Sequence, residues 1–118
     1  MTSPSEPTTV RDYVHLFERE IRSGDLTPGR ASEMLVEATS LLSTVLTEIR
    51  EADVCYAEEL LHCLDVEEAA SRAKIRAETS AQYLRKREAR DTQTVLVELI
   101  RSLKLVLRVQ TEEMRLTR

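Results

Sequence analysis

The sequence predicts an all-α protein: a short N-terminal helix and two long antiparallel helices in a coiled-coil-like hairpin, completing a four-helix core by dimerisation. Three observations predict it. The 118-residue chain has two glycines and three prolines, and neither type occurs after Gly29. Helix interiors exclude both types, whereas β folds need turn residues every few positions. Apolar residues make up 42% of the chain, yet only Tyr13, Phe17, Tyr56 and Tyr83 are aromatic; a core of Leu, Val, Ile and Ala suits helix packing. The apolar positions also recur with helical period along most of the chain.

Residues 1–7, MTSPSEP, read as a disordered leader from their Ser, Thr and Pro content. They lack the basic n-region and apolar h-region of a secretory signal. Residues 8–118 are expected to form a single helical domain. Its first helix spans about residues 9–23, because Val10, Val14, Phe17 and Ile21 share one face, and Gly24 lies where a left-handed C-cap belongs. Thr27 as N-cap and Pro28 at the first helical position then open a second helix.

That second helix should run from Pro28 to about Leu64. Leu35, Leu42, Ile49, Tyr56 and Cys63 repeat every seventh residue, and Ala31, Ala38, Val45 and Ala52 form the companion set. Together they make an a/d seam that expects a helical partner. Met34, Leu41, Leu46, Leu60, Leu61 and Leu64 widen the apolar surface, so contact with more than one helix is expected. Asp65 followed by Glu68 resembles a capping box and places a break there, with a short polar helix over residues 66–78. Thr79 followed by Gln82 is a better capping box and opens the last helix, residues 80–116.

In the last helix Thr92, Val95, Leu96, Leu99, Leu103, Val106, Gln110 and Met114 trace one helical face. LKLVLRVQ, Leu103 to Gln110, also alternates like a strand. A strand there would have no convincing partner, and the helical spacing continues on both sides, so helix is expected. The two long helices are each about 37 residues, or roughly 55 Å. With only one short helix beside them, much apolar surface stays uncovered, which predicts a homodimer. The candidate helix–helix or oligomer interface is Leu35, Leu42, Val45, Ile49, Tyr56, Leu96, Leu99, Leu103 and Val106.

The charges are segregated. Residues 1–68 hold 15 acidic and 5 basic residues, and residues 69–118 hold 12 basic and 6 acidic. SRAKIRAETSAQYLRKREAR, Ser71 to Arg90, carries seven Lys/Arg and two Glu. One reading makes it a solvated elbow whose cations lie along the acidic second helix. The other makes Arg72, Lys74, Arg76, Arg85, Lys86, Arg87 and Arg90 phosphate contacts on nucleic acid. Arg85, Lys86 and Arg87 spread over about 200° of helix and form no narrow stripe. Tyr83 alone could stack on a base, and the whole chain is acidic at net −4, so the elbow reading is preferred. A helix-turn-helix at Thr27-Pro28 is disfavoured, because the following helix is too long for a recognition helix and starts with Arg30 as its only cation.

Glu59 and His62 have the i, i+3 spacing of di-metal bundle proteins; the chain has one such motif, although a symmetric dimer would supply two, and the pair reads as a rim Glu and His, so no metal is expected. His15 and Glu18 read as a surface pair. No G-x-S-x-G occurs, and two glycines cannot build a P-loop or a dinucleotide fingerprint. His62 and Cys63, adjacent on a helix, diverge by about 100° and make no dyad. No catalytic residue and no cofactor is expected. Cys55 and Cys63 lie about 12 Å apart along one helix, too far for a disulfide, and read as small apolar residues. No apolar run approaches the roughly 18 residues of a membrane span, so the expected location is cytoplasmic.

Three segments carry a resemblance: SLLSTVLTEI from Ser40, SRAKIRAETSAQYLRKREARDT from Ser71, and ELIRSLKLVLRVQTEEMR from Glu98. Over roughly Ser40 to Arg115 the chain resembles small helical proteins encoded by tailed phages and prophages, often near recombination genes. The resemblance implies a phage accessory role, binding a host or phage protein or assisting on DNA, and carries no catalytic residues. The expected function is a non-enzymatic helical interaction protein, with a nucleic-acid accessory role as the alternative.

Overall fold

The computed structural model describes residues 6–116. The expected leader lies outside these as far as Ser5. Four helices follow in order: α1 (Val10–Ser23), α2 (Pro28–Val66), α3 (Ala70–Glu78) and α4 (Ala81–Leu116). No strand occurs among the described residues. LKLVLRVQ is helical within α4, so the local alternation yields to the longer helical pattern around it. The two long helices pack together. No described helix is long and apolar enough to cross a membrane.

Local chemistry explains most helix ends. Thr9 caps α1: its hydroxyl accepts from Asp12 N at 3.1 Å, and the Asp12 carboxylate accepts from Thr9 N at 3.3 Å. This reciprocal box satisfies amides that have no partner within the helix. Gly24 ends α1 with φ 78°, a left-handed conformation that costs glycine little. Thr27 Oγ1 accepts from Arg30 N at 3.1 Å, and Pro28 is the first residue of α2.

Two expected caps are corrected. Asp65 is still helical, and α2 runs on to Val66; the N-cap of α3 is Ala69, which has no side chain able to accept a hydrogen bond. Thr79 does not open α4 but caps the C-terminus of α3, where its hydroxyl donates to Arg76 O at 2.9 Å. Ser80 caps α4 instead, its hydroxyl accepting from Tyr83 N at 3.2 Å. The hydroxyl one position later suits the tight turn between the two helices.

The chain divides into two compact units. The first holds, among the described residues, 6–44 and 94–116. Its core is Val10, Val14 and Phe17 from α1, Ala31, Met34 and Ala38 from α2, and Leu96, Leu99 and Leu103 from α4. Fully burying a Val, Leu, Met or Phe side chain contributes about 1.5–3 kcal/mol. Arg30 ties α1 to α2: its Nε and Nη2 donate to the two Glu20 carboxylate oxygens, each at 2.8 Å, and its guanidinium lies 5.9 Å from the centre of the Phe17 ring. Gln110 Nε2 donates to Leu26 O at 2.9 Å and so joins α4 to the α1–α2 turn.

The second unit holds residues 45–93. Val45, Ala52, Cys63, Ala73, Ala77, Ala89 and Thr92 are buried in it. Ala73 and Ala77 lie four apart on α3 and seat that helix on Cys63, with Tyr56 and Leu60 packed alongside.

Candidate functional site

The basic elbow lies in the second unit. Four of its seven cations have partners there. Arg76 Nη1 donates to Glu67 Oε1 at 3.2 Å. Arg85 reaches Glu51 at 3.6 Å and the Cys55 sulfur at 3.3 Å. Lys86 Nζ sits 4.5 Å above the Tyr56 ring, and that ring meets Tyr83 at 5.5 Å between centroids. Arg90 Nη2 donates to Asp53 Oδ2 at 2.8 Å. Asp53 and Tyr56 rise along α2 while Arg90 and Tyr83 descend along α4. These side chains therefore join the acidic part of α2 to the basic part of α4.

Arg72, Lys74 and Arg87 differ. All three are exposed and have no ion-pair partner among the described residues. Arg72 and Lys74 stand on α3, whose Ala73 and Ala77 face the core; Arg87 stands on the outer side of α4.

Two shallow clefts flank Arg85. One, of about 410 Å³, is lined by Cys55, Glu58, Glu59, Ala81, Gln82 and Arg85. The other, of about 550 Å³, is lined by Thr47, Arg50, Glu51, Val54, Cys55 and Arg85. The neighbour of the Cys55 thiol is a guanidinium, which accepts no proton and cannot serve as a base. Cys55 and Cys63 are both free thiols. Burial, then the hydrogen bond the thiol donates to Glu59 at 3.5 Å, pushes the Cys63 thiol up from its ordinary range. Burial likewise raises Tyr56, with the nearby Glu78 carboxylate adding to it.

Glu59, at a core position of the α2 heptads, thus accepts from Cys63. His62 is exposed. Among the described residues no three of His, Cys, Asp and Glu gather as metal ligands would. His15 Nδ1 lies 4.0 Å from Glu18 on the surface of α1.

The nine interface candidates separate by burial. Val45, Leu96, Leu99 and Leu103 are buried within the chain, while Leu35, Leu42, Ile49, Tyr56 and Val106 are half-buried. Sequence reasoning missed the Arg30–Glu20–Phe17 cluster and the cation over Tyr56. The only available signal was opposite charge on different helices, which names no pairs. No family model matches the chain, and no curated protein and no solved structure matches it either.

Proposed function

We propose that the chain is a non-enzymatic helical interaction protein that works as a homodimer, with α2 and α4 of each copy forming a four-helix core. The observation that carries this reading is how α2 divides its heptad positions. The small set, Ala31, Ala38, Val45 and Ala52, is fully buried within the chain. The larger Leu35, Leu42 and Ile49 remain half-buried, and Leu46 is 45% exposed. A second copy laid along this side of α2 would take those side chains out of water, the main favourable term in association. The resemblance to phage and prophage helical proteins supports an accessory role in the cytoplasm, with a host or phage protein as partner.

Light scattering at micromolar concentration tests the dimer: a mass of two chains is expected, and a monomer that melts cooperatively overturns it. Ile49→Asp should leave a folded monomer, because the residue lies at the rim. Val45→Asp should unfold the chain, because it buries an unpaired charge.

One observation favours a second reading, a nucleic-acid accessory role: Arg72, Lys74 and Arg87 have no partner among the described residues. Single-stranded or duplex DNA should then bind with an affinity that falls steeply with salt, and reversing these three charges should flatten the slope. Absence of retention at low salt removes this reading.

A further inference from the structure

We propose that the outer face of α4 between Arg101 and Leu116 docks an acidic amphipathic helix of a partner protein. The proposal rests on the reading of the chain as an interaction protein and names the chemistry of one partner. Its origin is the strand-like alternation of LKLVLRVQ. Wound into a helix, that pattern spreads apolar side chains over more than half of the circumference and leaves the remainder to Arg101, Lys104 and Arg108. Leu103 is buried, and Val106 and Leu107 are half-buried. Leu105 remains 58% exposed and Val109 49%. One turn apart, they share a line with Glu112, which Arg115 reaches at 3.7 Å, and with Leu116, which is 84% exposed.

The charges say what covers it. Lys104 and Arg108, also one turn apart, run beside Leu105 and Val109 and have no ion-pair partner among the described residues. Arg101 adds a third cation at the start of the face, shared with Glu98 at 2.9 Å. Leucines flanked by glutamates on a partner helix would match both rows at once, as amphipathic helices do in apolar grooves. A second copy of the same face is an outcome of the test, since antiparallel pairing about Arg108 would set Lys104 against Glu112. Glu112 and Glu113 follow within the next turn and confine the cationic row to Arg101, Lys104 and Arg108; an anionic lipid surface is likewise an outcome of the test. Nucleic acid has no use for the apolar line.

The test uses the full chain and two labelled synthetic amphipathic peptides with identical leucine spacing, one flanked by Glu and one by Lys. Fluorescence anisotropy should show the Glu peptide binding at least roughly tenfold tighter, with the advantage shrinking as salt rises. Lys104→Glu with Arg108→Glu should invert the preference. Leu105→Ser with Val109→Ser should abolish binding of both peptides while the far-ultraviolet spectrum and the melting temperature stay unchanged. Equal affinity for the two peptides, or no binding of either, overturns the proposal. So does tighter binding to phosphatidylserine vesicles, or a self-association that the charge reversal removes. A wild-type monomer that still selects the Glu peptide would sink only the dimer, and a dimer indifferent to both peptides would sink only the docking face.

Discussion

Arg30 joins α1 to α2 through both Glu20 oxygens and the Phe17 ring, and on its own helix it also meets Glu33 at 3.4 Å. Its fork matches a carboxylate in two-point geometry, which lysine cannot reproduce. The hydrogen bonds from Arg30 hold Glu20 below its ordinary value of 4.5. A carboxylate depressed on folding stabilises above its unfolded pKa, and the contribution fades as pH falls through the folded value. Both side chains of the pair are about one-third exposed, at 33% and 32%, so solvent screening limits its size. Glu20→Gln should therefore cost up to about 1 kcal/mol in urea unfolding at neutral pH. That difference from wild type should close as pH drops below 4.5. A difference unchanged by acid would show that packing, not charge, holds the contact. The two cysteines give a second test. Cys63 is fully buried and its thiol pKa is raised, whereas Cys55 is partly exposed. A thiol reagent should label Cys55 in the native protein and both residues only after denaturation. The partners of Arg30 were not legible in the sequence, because Glu20 and Phe17 lie on α1 and Arg30 on α2, and only the fold brings them together.

At the level of the element, the sequence was legible wherever a residue acts on its own backbone. Gly24 and the Thr27-Pro28 pair marked their helix ends correctly, because a left-handed residue and a hydroxyl cap work within one turn. Gly24→Ala should cost about 1–2 kcal/mol from left-handed strain alone, since nothing lies within 4 Å of the added methyl. Denaturant unfolding at matched slope measures it. The Thr79 reading failed by one position, because two hydroxyls stand side by side and both can cap. Ser80→Ala should therefore cost about 1 kcal/mol and Thr79→Ala clearly less; the reverse order would restore Thr79 as the cap of α4. The break before α3 was read near Asp65, but from a cap that does not form, so the start at Ala70 was not legible. Residues 67–69 contain neither Gly nor Pro, and Ala69 has no capping side chain. What is observed there is tertiary: Arg76 reaches back to Glu67, and Ala73 and Ala77 rest on Cys63.

Across the whole molecule, charge and apolar pattern play different parts. The charge asymmetry of the two halves was plain in the sequence. In the structure, contacts such as Asp53–Arg90 and Glu51–Arg85 link α2 to α4, with their carboxylates 38% and 63% exposed. Exposed pairs contribute from nothing to about 1 kcal/mol each and are screened by salt. Raising sodium chloride to 1 M should accordingly lower the melting temperature by no more than a few degrees. A collapse of the fold would mean that charge, rather than apolar burial, dominates its stability. Leu96→Ala, at a fully buried position, should cost about 2–5 kcal/mol in the same measurement.

From the sequence alone followed the helical class, the break after Ser23, the start of α2 at Pro28 and the helical state of LKLVLRVQ. Each of these comes from backbone preferences and side-chain periodicity, which act over one or two turns of chain. Only the tertiary structure decided which way the long helices are rotated. The heptads of α2 offered two sets, and the small Ala31, Ala38, Val45 and Ala52 turned inward while Leu35, Leu42 and Ile49 took the rim. The tertiary structure also decided which elbow cations find an ion-pair or ring partner among the described residues. A helix carries its stripe as a local property. Its rotation minimises the summed packing against neighbours far away in the chain, and that sum exists only once the helices have come together.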